Sequence, residues 1–465
     1  MKDIEREVLE RIKPSKEEYV KAQRIFDKVK ELLERTLNLY NIDATVELEG
    51  SIAKDTWISG EWDLDVFVLF NKHYGTEWIK TKGFKIIYES VRNLNPELRY
   101  AEHPYVRVKV EGFDVDIVPA LRLERASEAK TVVDRTPFHT RYVKSKLTSE
   151  LRDQVRLLKK FMKGIGVYGA EIKVRGFSGY LCELLVIAYG GFRRVLENVR
   201  LWKPRQVIDI EKHYRSLREA VRKFRDNILI VIDPVDPNRN VAAAVSLDSF
   251  SKLIVAANLY LKKPSIKFFY PPVESVDCMV LKRLIKNRKT SIVALVTQCP
   301  SIPPDTLWGE LGKSLKALCN YVARLGFKII DSSVWSDESN IIVFLLELLD
   351  LTLHDYEKHY GPPVHIQPNM LEFLKKYINS EDTIAGPWVE NGRLVVLKKR
   401  RMCNIIECLS NVESYVQSLS PHIRECILNK LDILVDIEIL TLARKHNEFK
   451  YHLYRFLRKR EPWIT

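Results

Sequence analysis

The order of apolar and polar residues predicts alternating helices and strands in the first part of the chain. Apolar residues recur every three or four positions from about 15 to 40, which predicts one long amphipathic helix. Ser15 and Glu18 stand at its start with the spacing of a capping box. Two strands and a second helical segment are predicted next, over 45–48, 64–70 and 76–93.

A hairpin is predicted from two runs of alternating residues, 105–110 and 113–118, on either side of Glu111-Gly112. The helical period then dominates from about 150 to 225. A loop rich in Pro and Asp follows at 233–237, and a helix is predicted after it over 246–261.

Prolines at 264, 271 and 272 mark the clearest linker. Beyond it, the pattern predicts a strand, a helix and two strands, over 291–297, 308–325, 327–332 and 341–346. This order resembles part of a ferredoxin-like sandwich. Further helices are predicted to the C-terminus, interrupted by one strand near 394–397.

These elements predict an α+β fold with several domains. We expect a mixed sheet with helices over 1–140, a helical and basic domain over 141–265, and a ferredoxin-like domain with a helical tail over 266–465.

Positive charge is concentrated in one stretch of the chain. The 465 residues include 75 Lys and Arg against 61 Asp and Glu, a net charge of +14. Residues 141–225 hold 21 of these basic residues and only 8 acidic ones. Such an excess indicates a polyanionic partner, either nucleic acid or an anionic membrane surface. A smaller basic and aromatic cluster lies between Arg444 and Arg460.

The sequence carries no signal that favours a membrane or an oxidising compartment. The N-terminal residues lack the apolar core of a signal peptide, and no apolar run reaches the ~18 residues of a membrane helix. The seven cysteines form no C-x-x-C pair, so we expect reduced thiols, no zinc site and a cytoplasmic protein.

Paired aspartates are the main chemical signal. Asp63 and Asp65 stand at i and i+2 on a predicted strand, so both point to the same face. Asp114 and Asp116 repeat this spacing on the predicted hairpin. Buried like charges are costly unless a cation lies between them, and Mg²⁺ prefers carboxylate oxygens. The pattern therefore predicts a site for divalent metal, in which three carboxylates serve phosphoryl or nucleotidyl transfer.

Gly50-Ser51, 11 residues before the aspartate pair, adds a phosphate-binding signal, because glycine lets the backbone approach a ligand and a serine hydroxyl bonds a phosphate oxygen. Together with the aspartates, this pattern resembles the superfamily of poly(A) polymerases and repair polymerases. More specifically, the chain resembles the archaeal CCA-adding enzymes, which are class I tRNA nucleotidyltransferases. The segments that carry this likeness are 50–57, 100–106, 133–139, 167–184 and 233–243.

The resemblance implies a role for each residue that matches a family motif. It implies that Asp63, Asp65 and Asp116 bind two Mg²⁺ ions as the catalytic carboxylates, with Asp114 as the rival for the third place. It implies that the nucleotide is held by Ser51, Lys54, His139, Lys159, Tyr168 and Arg239, of which Arg239 frames the base. Two matches are by type only, because relatives often have Arg where Lys54 stands, and they also carry Glu at the place of Asp63.

The resemblance further implies an enzyme that adds C, C and A to the 3′ end of tRNA from CTP and ATP. It implies a catalytic head, a nucleotide-selecting neck and a C-terminal body and tail that grip the tRNA acceptor arm, in a homodimer that binds no membrane. Two alternatives stay open at this point. One is another RNA nucleotidyltransferase, such as a poly(A) polymerase or an oligoadenylate-type synthetase, and the other is a non-catalytic RNA-binding protein on the same scaffold.

Overall fold

The computed structural model describes residues 3–100, 104–129, 131–272 and 276–464. These residues form two compact units. The first comprises residues 1–272 together with 462–465, and the second comprises 273–461. Residues 101–103, in the second of the family-like segments, lie outside the described residues.

A five-stranded mixed sheet begins the first unit. Its strands are β1 (Ala44–Glu49), β2 (Asp63–Asn71), β3 (Glu97–Tyr100), β4 (Pro104–Val110) and β5 (Phe113–Arg122). They lie in the order β1-β2-β5-β4-β3, in which β2 and β5 are parallel and the other pairs are antiparallel. The predicted strands and the hairpin are therefore confirmed.

Helices cover both faces of this sheet. Those of the first 100 residues are α1 (Asp3–Ile12), α2 (Lys16–Leu39), α3 (Gly50–Ala53), α4 (Gly75–Trp78) and α5 (Phe84–Ser90), with a π-helical turn at Ile79–Gly83. The side chain of Ser15 accepts from the backbone of Glu18, and the Glu18 side chain reaches back to Ser15, so the predicted capping box is confirmed. Ile25 and Val29 of α2 pack on the sheet beside Val66 and Ile117.

The rest of the first unit is mainly helical, as predicted. Its helices are α6 (Val132–Lys146), α7 (Ser149–Gly164), α8 (Gly179–Tyr189), α9 (Phe192–Val199), α10 (Leu217–Lys223) and α11 (Leu247–Lys262). A small sheet that the sequence did not predict stands among them, made of β6 (Gln206–Ile208), β7 (Leu229–Asp233) and β8 (Asp236–Asn240). The predicted loop at 233–237 is the tight connection between β7 and β8.

The core of the first unit is completed by the end of the chain. Trp463 is buried, and its ring centroid lies 5.6 Å from that of Phe268. Phe161, on α7, stacks on the same Phe268 ring at 5.8 Å. Phe268, which precedes the second unit in sequence, and Trp463, which follows it, therefore both belong to the core of the first unit.

The second unit contains a four-stranded antiparallel sheet. Its strands are β9 (Ser291–Gln298), β10 (Ile329–Ser336), β11 (Ile341–Leu348) and β15 (Asp432–Val435), in the order β10-β11-β9-β15. This is the strand order of a ferredoxin-like sandwich, which confirms the prediction from the order of elements. Apolar side chains line both faces, because Val293 and Leu295 join one cluster while Ile292 and Ala294 join another.

A long insertion separates β11 from β15. It contains a three-stranded sheet of β12 (Tyr356–Pro363), β13 (Thr383–Glu390) and β14 (Arg393–Lys399), in the order β12-β14-β13. The prediction of a single strand near 394–397 was therefore incomplete. The helices of this unit are α12 (Cys278–Lys286), α13 (Pro304–Arg324), α14 (Gln367–Tyr377), α15 (Ile405–Ser410), α16 (Pro421–Asn429), α17 (Leu440–Lys445) and α18 (Asn447–Arg458). No helix among the described residues is long and apolar enough to cross a membrane.

A disulfide joins Cys299 to Cys426, so the prediction that all cysteines are reduced was wrong. Cys299 follows β9 and Cys426 lies on α16, and their Cα atoms are 5.2 Å apart although 127 residues separate them. Local spacing rules do not detect such a pair, because packing of α16 beside β9 is what brings the two thiols together. The other five cysteines are free.

The disulfide should contribute measurably to the stability of the second unit. Because it closes a long loop, we expect replacement of both Cys299 and Cys426 by Ala to lower the free energy of unfolding by about 2–4 kcal/mol. Differential scanning calorimetry with and without dithiothreitol measures this. Cys319→Ala, at a free cysteine, should change the transition little. Equal melting temperatures with and without the reductant would contradict the expectation.

Candidate active site

Four aspartates on two neighbouring strands form one acidic patch. Because β2 and β5 are parallel and in register, Asp63 stands opposite Asp114, and Asp65 stands opposite Asp116. Side chains two residues apart on a strand share a face, so all four carboxylates lie on the same side of the sheet. The structure thus brings together the two pairs of aspartates that the sequence analysis singled out.

Crowding of these carboxylates changes their acidity. Burial, together with the Asp116 carboxylate, raises the pKa of Asp65 to about 6, although Lys54 acts in the opposite direction. Asp63 is exposed as a residue, but partial desolvation of its carboxyl group raises its pKa as well. Burial is the largest cause of both raised pKa values, and the neighbouring carboxylates add to it.

Arg107 on β4 supplies one balancing charge. Its Nε and Nη2 each donate to one oxygen of Asp116, both at 2.6 Å, and its Nη1 lies 3.6 Å from Asp114. No three acidic, histidine or cysteine side chains are gathered as a metal cage in the part of the chain that the structure describes. Arg107 was not recognised from the sequence. Counting back along both strands from the two-residue turn of the predicted hairpin would have placed Arg107 opposite Asp116.

Gly50 is required where the chain passes this patch. Its φ is +69°, and a Cβ at this position would lie 1.8 Å from Oδ2 of Asp65. Only glycine therefore allows the backbone to run this close to the carboxylate. Ser51 follows in the first turn of α3 and is half-buried. The Gly-Ser pair thus lies directly beside the acidic patch.

Glu49 brings a fifth carboxyl group to this edge of the sheet. It ends β1 opposite Asp65, is buried, and its Oε2 has no hydrogen-bond partner among the described residues. Burial raises its pKa to about 7. The sequence analysis did not identify it, since a glutamate at the end of a strand is usually exposed.

A buried glutamate on α8 holds two of the predicted nucleotide contacts. Oε2 of Glu183 accepts from Nζ of Lys54 at 2.7 Å, and Oε1 accepts from Nζ of Lys159 at 3.3 Å and from Oγ1 of Thr56 at 2.6 Å. Nζ of Lys159 also donates to the backbone oxygen and to Oγ1 of Thr56. All four side chains are buried.

Tyr168 lies next to this group. A Cβ added to Gly179 would lie 3.0 Å from the Tyr168 hydroxyl and 3.6 Å from Nζ of Lys159, so the three converge. Nζ of Lys163 lies 4.6 Å from the centre of the Tyr168 ring. The structure therefore places Lys54, Lys159 and Tyr168 together.

A second buried carboxylate, Asp233 at the end of β7, holds the remaining predicted contacts. Its Oδ2 lies 2.9 Å from Nε2 of His139 and 2.7 Å from Nη1 of Arg239, and its Oδ1 accepts from the Tyr180 hydroxyl at 3.1 Å. Burial lowers the pKa of His139, which favours a neutral ring that donates through Nε2. Although burial alone would raise it, the bonds from His139, Arg239 and the backbone of Val235 lower the pKa of Asp233 to about 2.

Tyr180 connects the two groups. Its ring stacks on His139 with centroids 4.2 Å apart, and Nζ of Lys54 lies 5.6 Å from the ring centre. The sequence analysis assigned no function to Tyr180, Glu183 or Asp233, although all three fall within the segments that carry the family likeness.

Comparison with known proteins matches three family models along the chain. A nucleotidyltransferase domain matches residues 29–139, the second domain of tRNA nucleotidyltransferase matches 153–270, and the C-terminal domain of CCA-adding enzyme matches 288–436. A CCA-adding enzyme of Sulfurisphaera tokodaii is 40% identical over 399 residues, which cover 86% of this chain and 89% of that protein. The chain belongs to the CCA-adding enzyme family.

Another member of the CCA-adding enzyme family, from Methanothermobacter thermautotrophicus, is 36% identical over 462 residues, 98% of this chain and 97% of that protein. Among solved structures, the Cid1 poly(U) polymerase aligns with a TM-score of 0.45 and 18% identity, over 57% of this chain and 95% of that one. The chain is thus a tRNA nucleotidyltransferase, as the sequence motifs predicted.

Asp233 should stabilise the first unit in a pH-dependent way. Its pKa of about 2 lies below the ~3.9 of an unfolded aspartate, so its contribution is present above pH ~4 and is lost as the pH falls towards 2. We expect Asp233→Asn to lower the free energy of unfolding by roughly 2–3 kcal/mol at pH 7, and by less at pH 3.

Urea unfolding at pH 7, 5 and 3, followed by tryptophan fluorescence, measures this difference. Asp226→Asn is the matched control, because Asp226 is exposed and pairs only with the exposed Arg225. A loss of stability that is the same at all three pH values would refute the charge-dependent role of Asp233.

Proposed function

We propose that this protein adds C, C and A in sequence to the 3′ end of tRNA, using CTP and ATP without a nucleic-acid template and releasing pyrophosphate. The observation that carries this proposal is the in-register pairing of β2 and β5, which sets Asp63, Asp65 and Asp116 beside Gly50-Ser51. Family membership supports the choice of tRNA over other RNA ends.

The donor set of the acidic patch suits divalent cations. Its oxygens are hard ligands, and four carboxylates stand in register on two adjacent strands. Although Arg107 is bonded to both oxygens of Asp116, each oxygen keeps a second lone pair for a cation. Asp63, Asp65 and Asp116 would hold two Mg²⁺ ions, and such ions would supply stabilisation of the negative charge that develops during nucleotidyl transfer.

Asp116 is the better candidate for the third carboxylate. It stands opposite Asp65, which is the more deeply buried of the β2 pair, and it contributes more to the raised pKa of Asp65 than Asp63 does. Asp114 stands opposite the exposed Asp63, nearer the end of the strand.

The remaining predicted residues would hold the nucleotide. Ser51 would donate its hydroxyl to a phosphate, as would Tyr168, and Lys54 and Lys159 would balance triphosphate charge. A neutral His139 would contribute a hydrogen bond rather than a charge. These five residues would thereby fix the α-phosphorus in line with the 3′-hydroxyl.

Arg239 would frame the incoming base. It is 30% exposed at the side chain and borders a cavity of about 580 Å³, and its bond to Asp233 fixes one end of the guanidinium. The donors that stay free lie in a plane, which suits the edge of a base.

The basic part of the first unit offers a path for the tRNA acceptor arm. Four cations, Lys203, Arg205, Arg218 and Arg222, line a cavity of about 760 Å³ between β6 and α10. All four are exposed, and none of them forms an ion pair with a described residue. Phosphates of an RNA helix would supply the missing negative charge. A homodimer remains a prediction of the resemblance, and a cytoplasmic location remains a prediction of the sequence.

The function is tested by incubating the protein with Mg²⁺, each labelled nucleotide in turn, and tRNA that ends before C, C and A. We expect C to be added twice and A once, after which addition stops. Asp63→Ala, Asp65→Ala and Asp116→Ala should each lower the rate by at least about 1000-fold, because carboxylates and metal act on charge that develops in the transition state.

The same three variants should bind tRNA within about twofold of the unchanged protein, because RNA affinity comes mainly from basic groups. Asp114→Ala is the matched control and should be milder. If Asp114→Ala proves the more severe change, the third carboxylate is Asp114. Continued addition of A would indicate a poly(A) polymerase, and no incorporation would favour the non-catalytic alternative.

Affinity for tRNA should fall steeply with salt. Each phosphate contact contributes about 0.7–0.9 to the slope of log affinity against log salt concentration. Changing Lys203, Arg205, Arg218 and Arg222 together to Gln should therefore reduce the slope by roughly 3, as measured by filter binding between 50 and 300 mM KCl.

The matched control changes four exposed lysines of the sheet domain, Lys28, Lys72, Lys82 and Lys85, to Gln. It has the same net charge as the test variant but should keep the original slope. If the test variant also keeps it, the RNA path lies elsewhere, with the basic cluster between Arg444 and Arg460 as the next candidate.

A further inference from the structure

Glu183 combines three properties that are unusual for a glutamate, because glutamates usually lie at the protein surface. It is fully buried on α8, it is ionised, and its carboxylate is shared by Lys54, Lys159 and Thr56. Burial alone would raise its pKa, yet the two ammonium groups outweigh this and lower it. Glu183 is therefore a permanent negative charge between two cations.

The protonation of Lys159 in turn depends on Glu183. Burial lowers the pKa of Lys159, and the Glu183 carboxylate opposes that effect. Without its counter-ion, Lys159 would share a buried space with the like-charged Lys54, and desolvation would favour its neutral amine. Glu183 thus opposes the loss of the Lys159 proton, although burial remains the larger effect.

Position adds to this electrostatic role. Lys54 follows α3, which carries Ser51, whereas Lys159 and Glu183 lie on α7 and α8. The shared carboxylate therefore fixes the loop beside the acidic patch to the helical part of the first unit. The resulting group of two cations and one anion has a net charge of +1.

We propose that Glu183 is a positioning residue for the nucleotide, which holds the side chains of Lys54 and Lys159 in place through its hydrogen bonds so that the triphosphate meets a preformed site. The proposal rests on the proposed function of those two lysines. It assigns Glu183 no contact with the substrate. The effect of Glu183 on binding is exerted through the lysines.

Other titratable groups around Lys159 do not replace Glu183. Burial raises the pKa of Cys182 to about 12 and also raises that of Tyr168, so both remain uncharged in the neutral range. Lys54 carries the same sign as Lys159. Glu183 is thus the one carboxylate, among the described residues, that bonds this lysine.

The proposal is tested by measuring the dissociation constants of CTP and ATP, with Mg²⁺ and without tRNA, from pH 6 to pH 9. In Glu183→Gln, which keeps the shape but removes the charge, we expect binding about tenfold weaker than in the unchanged protein at pH 9. The ratio of the variant's dissociation constant to that of the unchanged protein should fall as the pH is lowered towards 6, because a lower pH favours protonation of Lys159 in both proteins. Affinity for tRNA should change less than twofold at every pH.

Matched variants separate a charge effect from a packing effect. Glu197→Gln, at an exposed glutamate on α9, should bind nucleotides like the unchanged protein. Glu183→Asp keeps the charge but shortens the side chain, so it should weaken nucleotide binding by a factor that does not depend on pH. If Glu183→Gln does not fold, a pH-dependent loss in Glu183→Asp, or no loss at all, overturns the proposal.

A pH-independent loss in Glu183→Gln, or an equal loss of tRNA affinity, would make Glu183 a purely structural residue and overturn the proposal. Because nucleotide binding is measured without turnover, the result does not depend on CCA addition. A protein that binds CTP as expected but adds no nucleotide would refute the proposed function and leave the role of Glu183 intact.

Discussion

Repulsion between carboxylates on adjacent parallel strands is the constraint on which the site depends. Strands in a sheet lie ~4.8 Å apart, so in-register aspartates cannot move away from one another without breaking the sheet. β2 and β5 carry two such pairs side by side. Arg107, which bonds Asp116, and Lys54, which acts electrostatically on Asp65, offset part of this repulsion.

Two buried acids are likewise paired with basic side chains in the helical part of the first unit. Glu183 and Asp233 are inaccessible to solvent, and each organises cationic or polar side chains from other segments of the chain. His139 and Lys54 come from the N-terminal part of the sequence, whereas the acids that hold them come later. Folding of the helices is therefore required to complete a site whose acidic edge belongs to the sheet.

Regular patterns made the sheet, the long helices and the aspartate pairs predictable from sequence. The small sheets were missed because their strands lack alternation. Strand β8 reads Asp-Pro-Asn-Arg-Asn, and β12 and β13 each contain Gly-Pro. Such segments become strands by pairing with β7 or β14. Glu183 and Asp233 were missed for another reason. A charged residue is expected at the surface, and only the surrounding donors, which come from distant positions, make its burial favourable.

The burial of Trp463 against Phe268 has a consequence for the order of synthesis. A ribosome produces the first unit's helices early, but the tryptophan that closes their core emerges only after the whole second unit has been made. The nascent first unit therefore exposes an apolar surface around Phe268 throughout that interval, and contact with chaperones or premature association is most probable there. Synthesis of Trp463, rather than the folding of the first unit's helices alone, is what seals this core.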